Sequence, residues 1–207
     1  MKIGFVGDSI TEGVGASSVE KNYVSLVASI LNCETVNYGI SGTRIARQNK
    51  ITYPHSFDMD FNFRLPFIAD DLDRVFVFGG TNDYGHGDAR FGDLIEKDAY
   101  SFCGAVNLLI DGLLKKYPKE KITFILPLQR FESAPNPTTG KHLEDYVKAL
   151  KTIVKNHGIE YLDFYNGLFR KPNTNLYSEF FADGLHPNDN GHKIIAEKIS
   201  EYIKNKK

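Results

Sequence analysis

The chain has 207 residues, of which 42% are hydrophobic and 25% charged, ordinary values for a globular protein with a full hydrophobic core. Its 25 Lys and Arg residues nearly balance its 26 Asp and Glu residues, so the charge gives no sign of a nucleic-acid partner. No segment approaches the roughly 20 consecutive apolar residues of a membrane span. We therefore expect one domain over residues 1–207, with no membrane span and no nucleic-acid partner.

The N-terminal residues MKIGFVGDS enter a strand-like pattern at once and lack the apolar core and cleavage site of a signal peptide. The two cysteines, Cys33 and Cys103, lie far apart in the chain. Without an export signal, we expect both to be reduced residues of the core, as in a cytoplasmic protein. Nothing in the pattern indicates an oligomeric state.

Five short runs predict strands. They are KIGFV (2–6), ETVNY (34–38), RVFVF (74–78), KITFIL (121–126) and IEYLDF (159–164). The first, third and fourth are nearly continuous apolar segments, which is typical of strands buried on both faces of a parallel sheet.

Apolar residues at helical spacing predict four helices between and after these strands. The stripes are Tyr23, Val27, Ile30 and Leu31; Phe102, Val106, Leu109, Ile110 and Leu113; Leu143, Val147, Leu150, Ile153 and Val154; and Ile195, Ile199 and Tyr202. Strands that alternate with helical crossovers predict a three-layer α/β/α domain around a mainly parallel, five-stranded sheet. Two stretches, 43–72 and 84–98, are irregular, and long irregular loops are commonly functional.

The strand ends indicate where chemistry can occur, because ligands of such sheets gather outside the carboxyl ends of the strands. The segments at these ends are GDS (7–9), NYGISG (37–42), GGTND (79–83) and PLQR (127–130). In a parallel sheet all four project from one edge, so they can meet despite their separation in sequence.

Ser9, after the first strand, is open to several interpretations. SITE (9–12) fits a capping box, in which Ser9 caps a helix and Glu12 reaches back to it. The stretch lacks the nucleophile elbow G-x-S-x-G, since Thr11 stands where glycine is required, and it lacks the glycine patterns of phosphate loops. A serine becomes a nucleophile only when a base removes its proton and a third group orients that base.

Of the six histidines, His186 in DGLHP (183–187) is the best candidate for that base. Pro187 disfavours the helical conformation at His186, so the imidazole lies on an extended segment before the last helix. Asp183 can fold back and accept the Nδ1–H, leaving Nε2 as general base; a surface histidine beside a turn aspartate is the alternative. His192 is expected to pack or cap in the last helix. Solvated positions are expected for His55, His86, His142 and His157.

Acyl transfer also needs N–H donors for the oxyanion that develops in the transition state. Gly42 can bring its backbone N–H close to a substrate, because no Cβ blocks the approach. Asn82 offers a side-chain amide after the third strand, and the Ser9 N–H would be a third donor. Each segment alone could be an ordinary turn. Together they supply a nucleophile, an oxyanion pocket and an oriented base, and we therefore predict that Ser9 is a nucleophile.

The motifs GDSIT, NYGISG, GGTND and DGLHP resemble, in order and spacing, the four blocks of the SGNH (GDSL-type) hydrolase superfamily. The resemblance covers effectively the whole chain and implies a flavodoxin-like fold with ester hydrolysis through an acyl-enzyme, without a metal or another cofactor. Matched to the blocks, Ser9 is the nucleophile and an oxyanion donor, Gly42 and Asn82 are the other donors, His186 is the base and Asp183 orients it. The first block reads GDSIT rather than the literal GDSL.

Three functions are compatible with these sequence features. The first is a serine acylhydrolase of small or short-chain esters, including O-acetyl groups on carbohydrate. The second is a non-catalytic module that binds an anion at GDSITEG, although such a module would not need DGLHP. The third is a metal-dependent phosphoesterase that uses Asp8, Asp183 and His186.

The aromatic-rich stretch TYPHSFDMDFNF (52–63) follows the loop that bears Gly42. We predict that at least one of Tyr53 and Phe57 borders the pocket containing Ser9 and binds an acyl chain or a sugar ring. Packing over the sheet is the alternative. The acyl length and the alcohol portion of the substrate are not indicated by the sequence.

Overall fold

The computed structural model describes residues 1–131, 134–169 and 177–206. The strands in these ranges are β1 (Lys2–Gly7), β2 (Glu34–Gly39), β3 (Arg74–Phe78), β4 (Ile122–Ile125) and β5 (Glu160–Leu162). They form one parallel sheet in the order β2-β1-β3-β4-β5. This is the strand order of a flavodoxin-like, doubly wound sheet, so the predicted fold class is confirmed.

The helices in the same ranges alternate with the strands. They are α1 (Ser9–Glu12), α2 (Tyr23–Leu31), α3 (Phe61–Arg64), α4 (Thr81–His86), α5 (Phe102–Lys116), α6 (Leu143–Asn156), α7 (Phe164–Gly167), α8 (Tyr177–Phe180) and α9 (Asp189–Asn205). Short 3₁₀ turns lie at Val19–Lys21, His55–Asp58, Leu65–Phe67 and Lys119–Lys121. The four apolar stripes in the sequence fall within α2, α5, α6 and α9.

The helices cover both faces of the sheet, and β3 shows how. Val75 and Val77 belong to the core on the α5 and α6 side. Phe76 and Phe78, which alternate with them, belong to the core on the α2 and α9 side. Because successive residues of a strand point to opposite faces, a strand between two helical layers must be apolar at every position. This explains the continuous apolar run RVFVF.

The register of the sheet brings the strand ends to one level. Gly7 at the end of β1 pairs with Gly39 at the end of β2 and with Phe78 at the end of β3. The segments that follow these three residues therefore begin side by side at the carboxyl edge of the sheet.

Two stretches differ from their predicted form. The strand predicted over 159–164 is limited to β5, because the Asp163 side chain accepts from the Asn166 N–H at 3.1 Å and caps α7. The irregular stretch 43–72 contains α3 and two 3₁₀ turns.

The two cysteines are free, with Cys103 buried and Cys33 partly buried. Among the described residues, no helix has the length and apolar character needed to cross a membrane.

Candidate active site

Ser9 is the first residue of α1, directly after β1, and its side chain is 5% exposed. The helix is capped by Asp8, whose Oδ1 accepts from the Ile10 N–H at 3.1 Å. The capping-box interpretation of SITE is therefore wrong for both of its members. Glu12 instead accepts hydrogen bonds from the Ser41 N–H, at 2.7 Å, and from the Ser41 hydroxyl. The Ser9 hydroxyl is left available for other chemistry.

A chain of hydrogen bonds links Ser9 to His186 and Asp183. The His186 Nε2 lies 2.9 Å from the Ser9 Oγ, and the His186 Nδ1 lies 2.7 Å from the Asp183 Oδ2. The second carboxylate oxygen accepts from the His186 N–H at 2.8 Å and the Leu185 N–H at 3.0 Å. An aspartate that accepts the Nδ1–H keeps the lone pair of Nε2 directed at the serine hydroxyl, as nucleophilic catalysis requires.

The ionisation of Asp183 fits this arrangement. Partial burial opposes ionisation, but the hydrogen bonds from His186 and Leu185 outweigh it and hold the pKa of the Asp183 carboxyl below its ordinary value. The carboxylate is therefore charged at neutral pH and can stabilise an imidazolium beside it.

Contacts between the two ends of the chain place His186 against Ser9. Gly15 has a φ of +93°, and a Cβ there would lie 2.2 Å from the Pro187 carbonyl oxygen, so the turn after α1 approaches the histidine segment closely. Asp189 at the start of α9 accepts from the Ser17 N–H at 2.7 Å, from the Ser17 hydroxyl at 2.8 Å and from the Lys21 Nζ at 2.7 Å. These bonds join segments that are more than 160 residues apart in sequence.

The residues predicted as oxyanion donors also lie at this edge. Gly42 lies in the loop after β2 and has a φ of +73°, which favours glycine. Asn82 in α4 donates one amide hydrogen to the Thr43 carbonyl oxygen at 3.1 Å, so its second amide hydrogen is free to point toward a ligand. Ser9 begins α1, and the first N–H groups of a helix have no acceptor within the helix. All three residues carry N–H groups and lie at the carboxyl edge of the sheet.

Two buried charged residues that sequence reasoning missed hold the Gly42 loop in place. Asp83 accepts from the Ile45 and Ala46 N–H groups, each at 2.9 Å. Arg64 donates to the Gly7 carbonyl oxygen and to the Thr43 hydroxyl, each at 3.1 Å. The partners of Asp83 lie 37 and 38 residues away in the chain, so a motif search at short spacing does not find them.

The two predicted substrate-binding aromatics occupy different positions. Phe57 lies directly on Gly42, since a Cβ at position 42 would be only 2.3 Å from its Cε1. Tyr53 is 87% exposed, and its ring makes an edge contact with His55 at 5.6 Å between ring centroids. Phe57 therefore contacts Gly42, a residue of the predicted oxyanion pocket.

His86 is exposed at the end of α4, in line with its predicted solvated position, but it also has partners in the fold. Its Nδ1 lies 3.1 Å from Nη1 of Arg44, and its ring packs at 5.9 Å from the ring of Phe57. Arg44 itself is 1% exposed and was not identified from the sequence. The prediction for His192 is confirmed: it is buried and its Nδ1 accepts from the Tyr23 N–H at 3.3 Å.

The remaining histidines lie at the surface or at helix ends. His55 is exposed, His142 caps the start of α6, and His157 at the end of α6 bonds to Asn107 at 3.0 Å. Among the described residues, no three His, Cys, Asp or Glu side chains are grouped so that they could hold a metal ion.

The family model for the GDSL-like lipase/acylhydrolase family matches residues 5–194. The chain belongs to this family. The match includes all five residues of the predicted site. The resemblance seen in the four sequence blocks is confirmed.

This GDSL-like chain is also similar to individual proteins. An acetylxylan esterase from Xylanibacter ruminicola is 24% identical over 217 residues, which cover 99% of this chain and 43% of the relative. The chain therefore spans less than half the length of that protein. A crystal structure of a protein from Lactobacillus plantarum is 26% identical, with a TM-score of 0.85 over 99% of this chain and 96% of that chain. A lipase/acylhydrolase from Enterococcus faecalis, 21% identical, shares the fold with a TM-score of 0.67 and covers 99% of this chain and 96% of its own.

Two buried carboxyl groups beside the candidate site, those of Asp8 and Asp83, have raised pKa values. Burial raises the pKa of Asp8 to about 7, against the opposing effects of the Ile10 N–H and the Arg64 charge. Burial also raises the pKa of Asp83 to about 6, although two backbone N–H groups and Arg44 favour its ionised form. A carboxylate removed from water loses hydration that its partners replace only in part. Ionising Asp8 at neutral pH therefore costs free energy in the folded state.

Replacing Asp8 by asparagine is expected to stabilise the protein more at pH 8 than at pH 5. Asparagine also caps helices through its side-chain oxygen, so the bond to Ile10 can be kept. Between about pH 4 and 7 the folded wild type retains a proton that the unfolded chain releases, so its stability falls as pH rises. Asp8→Asn lacks this titration.

Urea unfolding of wild type and Asp8→Asn at both pH values measures the effect. Asp93→Asn, a change at an exposed aspartate, is the matched control and should follow wild type. An equal pH dependence in wild type and Asp8→Asn would show that Asp8 ionises normally in the fold.

Proposed function

We propose that this chain is a serine ester hydrolase that cleaves small or short-chain carboxylic esters, with O-acetyl groups on carbohydrate as the leading substrate class. The observation that carries the proposal is the hydrogen-bonded chain from Ser9 Oγ through His186 to Asp183, at 2.9 Å and 2.7 Å. Such a chain at the carboxyl edge of the sheet is the arrangement that activates a serine hydroxyl.

The proposed reaction has two halves. His186 Nε2 takes the proton of Ser9 as the Oγ attacks the ester carbonyl, and the Ser9 N–H, Gly42 N–H and Asn82 amide bind the resulting oxyanion. The imidazolium then gives its proton to the leaving alcohol, and an acyl group stays on Ser9. In the second half, water loses a proton to His186 and attacks the acyl carbonyl. The imidazolium then returns that proton to the Ser9 Oγ as the bond to the acyl group breaks and the carboxylic acid leaves.

Two facts favour a small, polar ester. The acetylxylan esterase relative is named for cleavage of acetyl groups from a polysaccharide, and it aligns with 99% of this chain. Ser41, next to Gly42 in the chain, donates to the Glu12 carboxylate, and the Phe57 ring lies on Gly42, so polar and apolar groups are both close to this glycine. We also propose that the chain acts in the cytoplasm on small-molecule esters, with no nucleic-acid partner.

A panel of esters tests the substrate class. Chain length is varied in p-nitrophenyl acetate, butyrate and octanoate, and the alcohol is varied with acetylated xylosides. We expect turnover to be highest for acetyl esters and to fall for octanoate. Efficient hydrolysis of octanoate alone would replace the carbohydrate acetylesterase proposal by a lipase.

The pH profile separates the serine mechanism from a metal-dependent phosphoesterase. We expect kcat/KM to fall on acidification, because a protonated His186 cannot accept the Ser9 proton, whereas Asp183 stays ionised. Activity should also survive EDTA. A flat profile between about pH 5 and 9, or a chelated enzyme reactivated by zinc, would support the metal mechanism instead.

Phe57 and Tyr53 form a matched pair for testing the aromatic prediction. Phe57→Ala should change the relative kcat/KM among the esters of the panel, because its ring lies on Gly42. Tyr53→Ala, at a ring that is 87% exposed, should leave that preference near wild type. Equal loss toward every ester in Phe57→Ala, together with a large fall in Tm, would assign Phe57 to packing alone.

A further inference from the structure

His86 lies one helical turn beyond Asn82. Both residues belong to α4 (Thr81–His86) and are four positions apart, so their side chains lie on the same face of the helix. The Asn82 amide reaches Thr43 next to Gly42, and the His86 ring packs against Phe57, which lies on Gly42. His86 is exposed. His86 and Phe57 therefore lie beside the predicted oxyanion pocket, and we call the surface formed by these two side chains the rim.

The tautomer of His86 is fixed by a buried cation. Arg44 has only donors, so the 3.1 Å contact from its Nη1 makes Nδ1 of His86 an acceptor and leaves the ring proton on Nε2. Arg44 is itself held by Thr52 at 2.7 Å and by Asp58 at 3.1 Å. No acceptor for the Nε2–H lies within hydrogen-bond distance among the residues that the structure describes.

The ring also stays neutral. Although one edge reaches solvent, the protein packed around the imidazole and the charges of Arg44 and Arg130 lower the pKa of His86 to about 4. At neutral pH the rim thus presents an uncharged N–H donor of fixed direction. A donor of this kind suits a neutral acceptor oxygen better than an anion, for which a cation would bind more strongly.

We propose that His86 donates its Nε2–H to a hydroxyl or ring oxygen in the alcohol portion of the substrate, with Phe57 beside it as an apolar wall, so that the rim is a subsite for a sugar. The inference rests on the proposed function and names its substrate class. A hydrocarbon chain in the same place would bury the N–H without a partner, which costs free energy. An aromatic face next to a fixed donor instead matches a sugar ring, which has both apolar C–H groups and acceptor oxygens.

Two substitutions at His86 separate the donor from the ring. His86→Leu removes the N–H at similar size, whereas His86→Gln keeps an amide N–H near the position of Nε2. The control is His157→Leu, at a histidine that ends α6 and bonds to Asn107 rather than to the site. The substrates are a monoacetylated methyl xyloside and p-nitrophenyl acetate, which share the acyl group and differ in the alcohol. Tm is measured for each variant.

His86→Leu is expected to lower kcat/KM for the acetylated xyloside on the order of 10-fold more than it lowers kcat/KM for p-nitrophenyl acetate, mainly through KM. His86→Gln should recover most of the loss, and His157→Leu should not change the ratio of the two substrates. Equal loss toward both esters, or no loss toward either, would overturn the role of His86. A wild type that cleaves p-nitrophenyl acetate but not the xyloside would overturn the sugar subsite alone, whereas a wild type that cleaves neither would overturn the proposed function as well.

Discussion

Ser9→Ala is expected to lower kcat for ester hydrolysis by about 10⁴-fold or more while leaving the fold intact. The change removes the only atom that the proposed mechanism joins to the acyl group. It deletes one oxygen from a side chain that is 5% exposed, and the hydrogen bond it breaks is the one to His186 Nε2. A cavity of that size has a small effect on the free energy of unfolding.

The measurement is kcat for p-nitrophenyl acetate, with Tm recorded alongside. Ser29→Ala is the matched control, because Ser29 is an exposed serine of α2 and takes no part in the site. It should retain wild-type kcat. Activity of Ser9→Ala within about 10-fold of wild type would remove Ser9 from the mechanism, since the loss of a triad member costs far more.

Asn82→Ala is expected to lower kcat by about 10² to 10³, equivalent to roughly 3 to 4 kcal/mol of transition-state stabilisation. The amide of Asn82 would bind charge that exists mainly in the transition state, so KM should change little. The substitution also removes the bond to the Thr43 carbonyl oxygen, which will contribute a smaller loss of stability.

Asn107→Ala is the control for that structural part of the effect. Asn107 is 4% exposed, like Asn82, and its amide donates to the carbonyl oxygens of Leu94, Glu96 and Cys103. We expect it to lower Tm with kcat unchanged. If Asn82→Ala raised KM and left kcat near wild type, Asn82 would position the bound substrate rather than stabilise the oxyanion.

The fold and the candidate site were accessible from sequence for a common reason. A parallel sheet with helices on both faces imposes apolar residues at every position of an inner strand, and RVFVF satisfies that condition. The same geometry puts all strand ends at one edge. Ser9, Gly42 and Asn82, each directly after a strand or its loop, could therefore be brought together without knowledge of their distances.

The supporting charges were not accessible in this way. Arg44, Arg64 and Asp83 are each at most 4% exposed, and isolated charged residues in a sequence are normally expected at the surface. Their burial depends on partners such as the Gly7 carbonyl oxygen, 57 residues from Arg64. Such pairings form only when the tertiary fold exists, and the spacing of residues along the sequence does not predict them.

Glu12 illustrates a competition that local patterns cannot decide. The sequence SITE predicts a capping box, but Asp8 takes the capping position and Glu12 bonds to Ser41 across the gap between α1 and the loop after β2. The Glu12 carboxylate could bond either to the start of α1 or to the loop after β2. Asp8 already caps the helix, and Ser41 in the loop offers two donors, its N–H and its hydroxyl. The tertiary contact prevailed over the local motif.

Covalent labelling of Ser9 tests the central claim most directly. The protein is incubated with a fluorophosphonate, and the intact mass and the peptide that contains Ser9 are measured by mass spectrometry. We predict one adduct per chain, located on Ser9, absent from Ser9→Ala and formed far more slowly in His186→Ala. An active enzyme that gains no adduct, or that carries the adduct on a residue other than Ser9, would contradict the account.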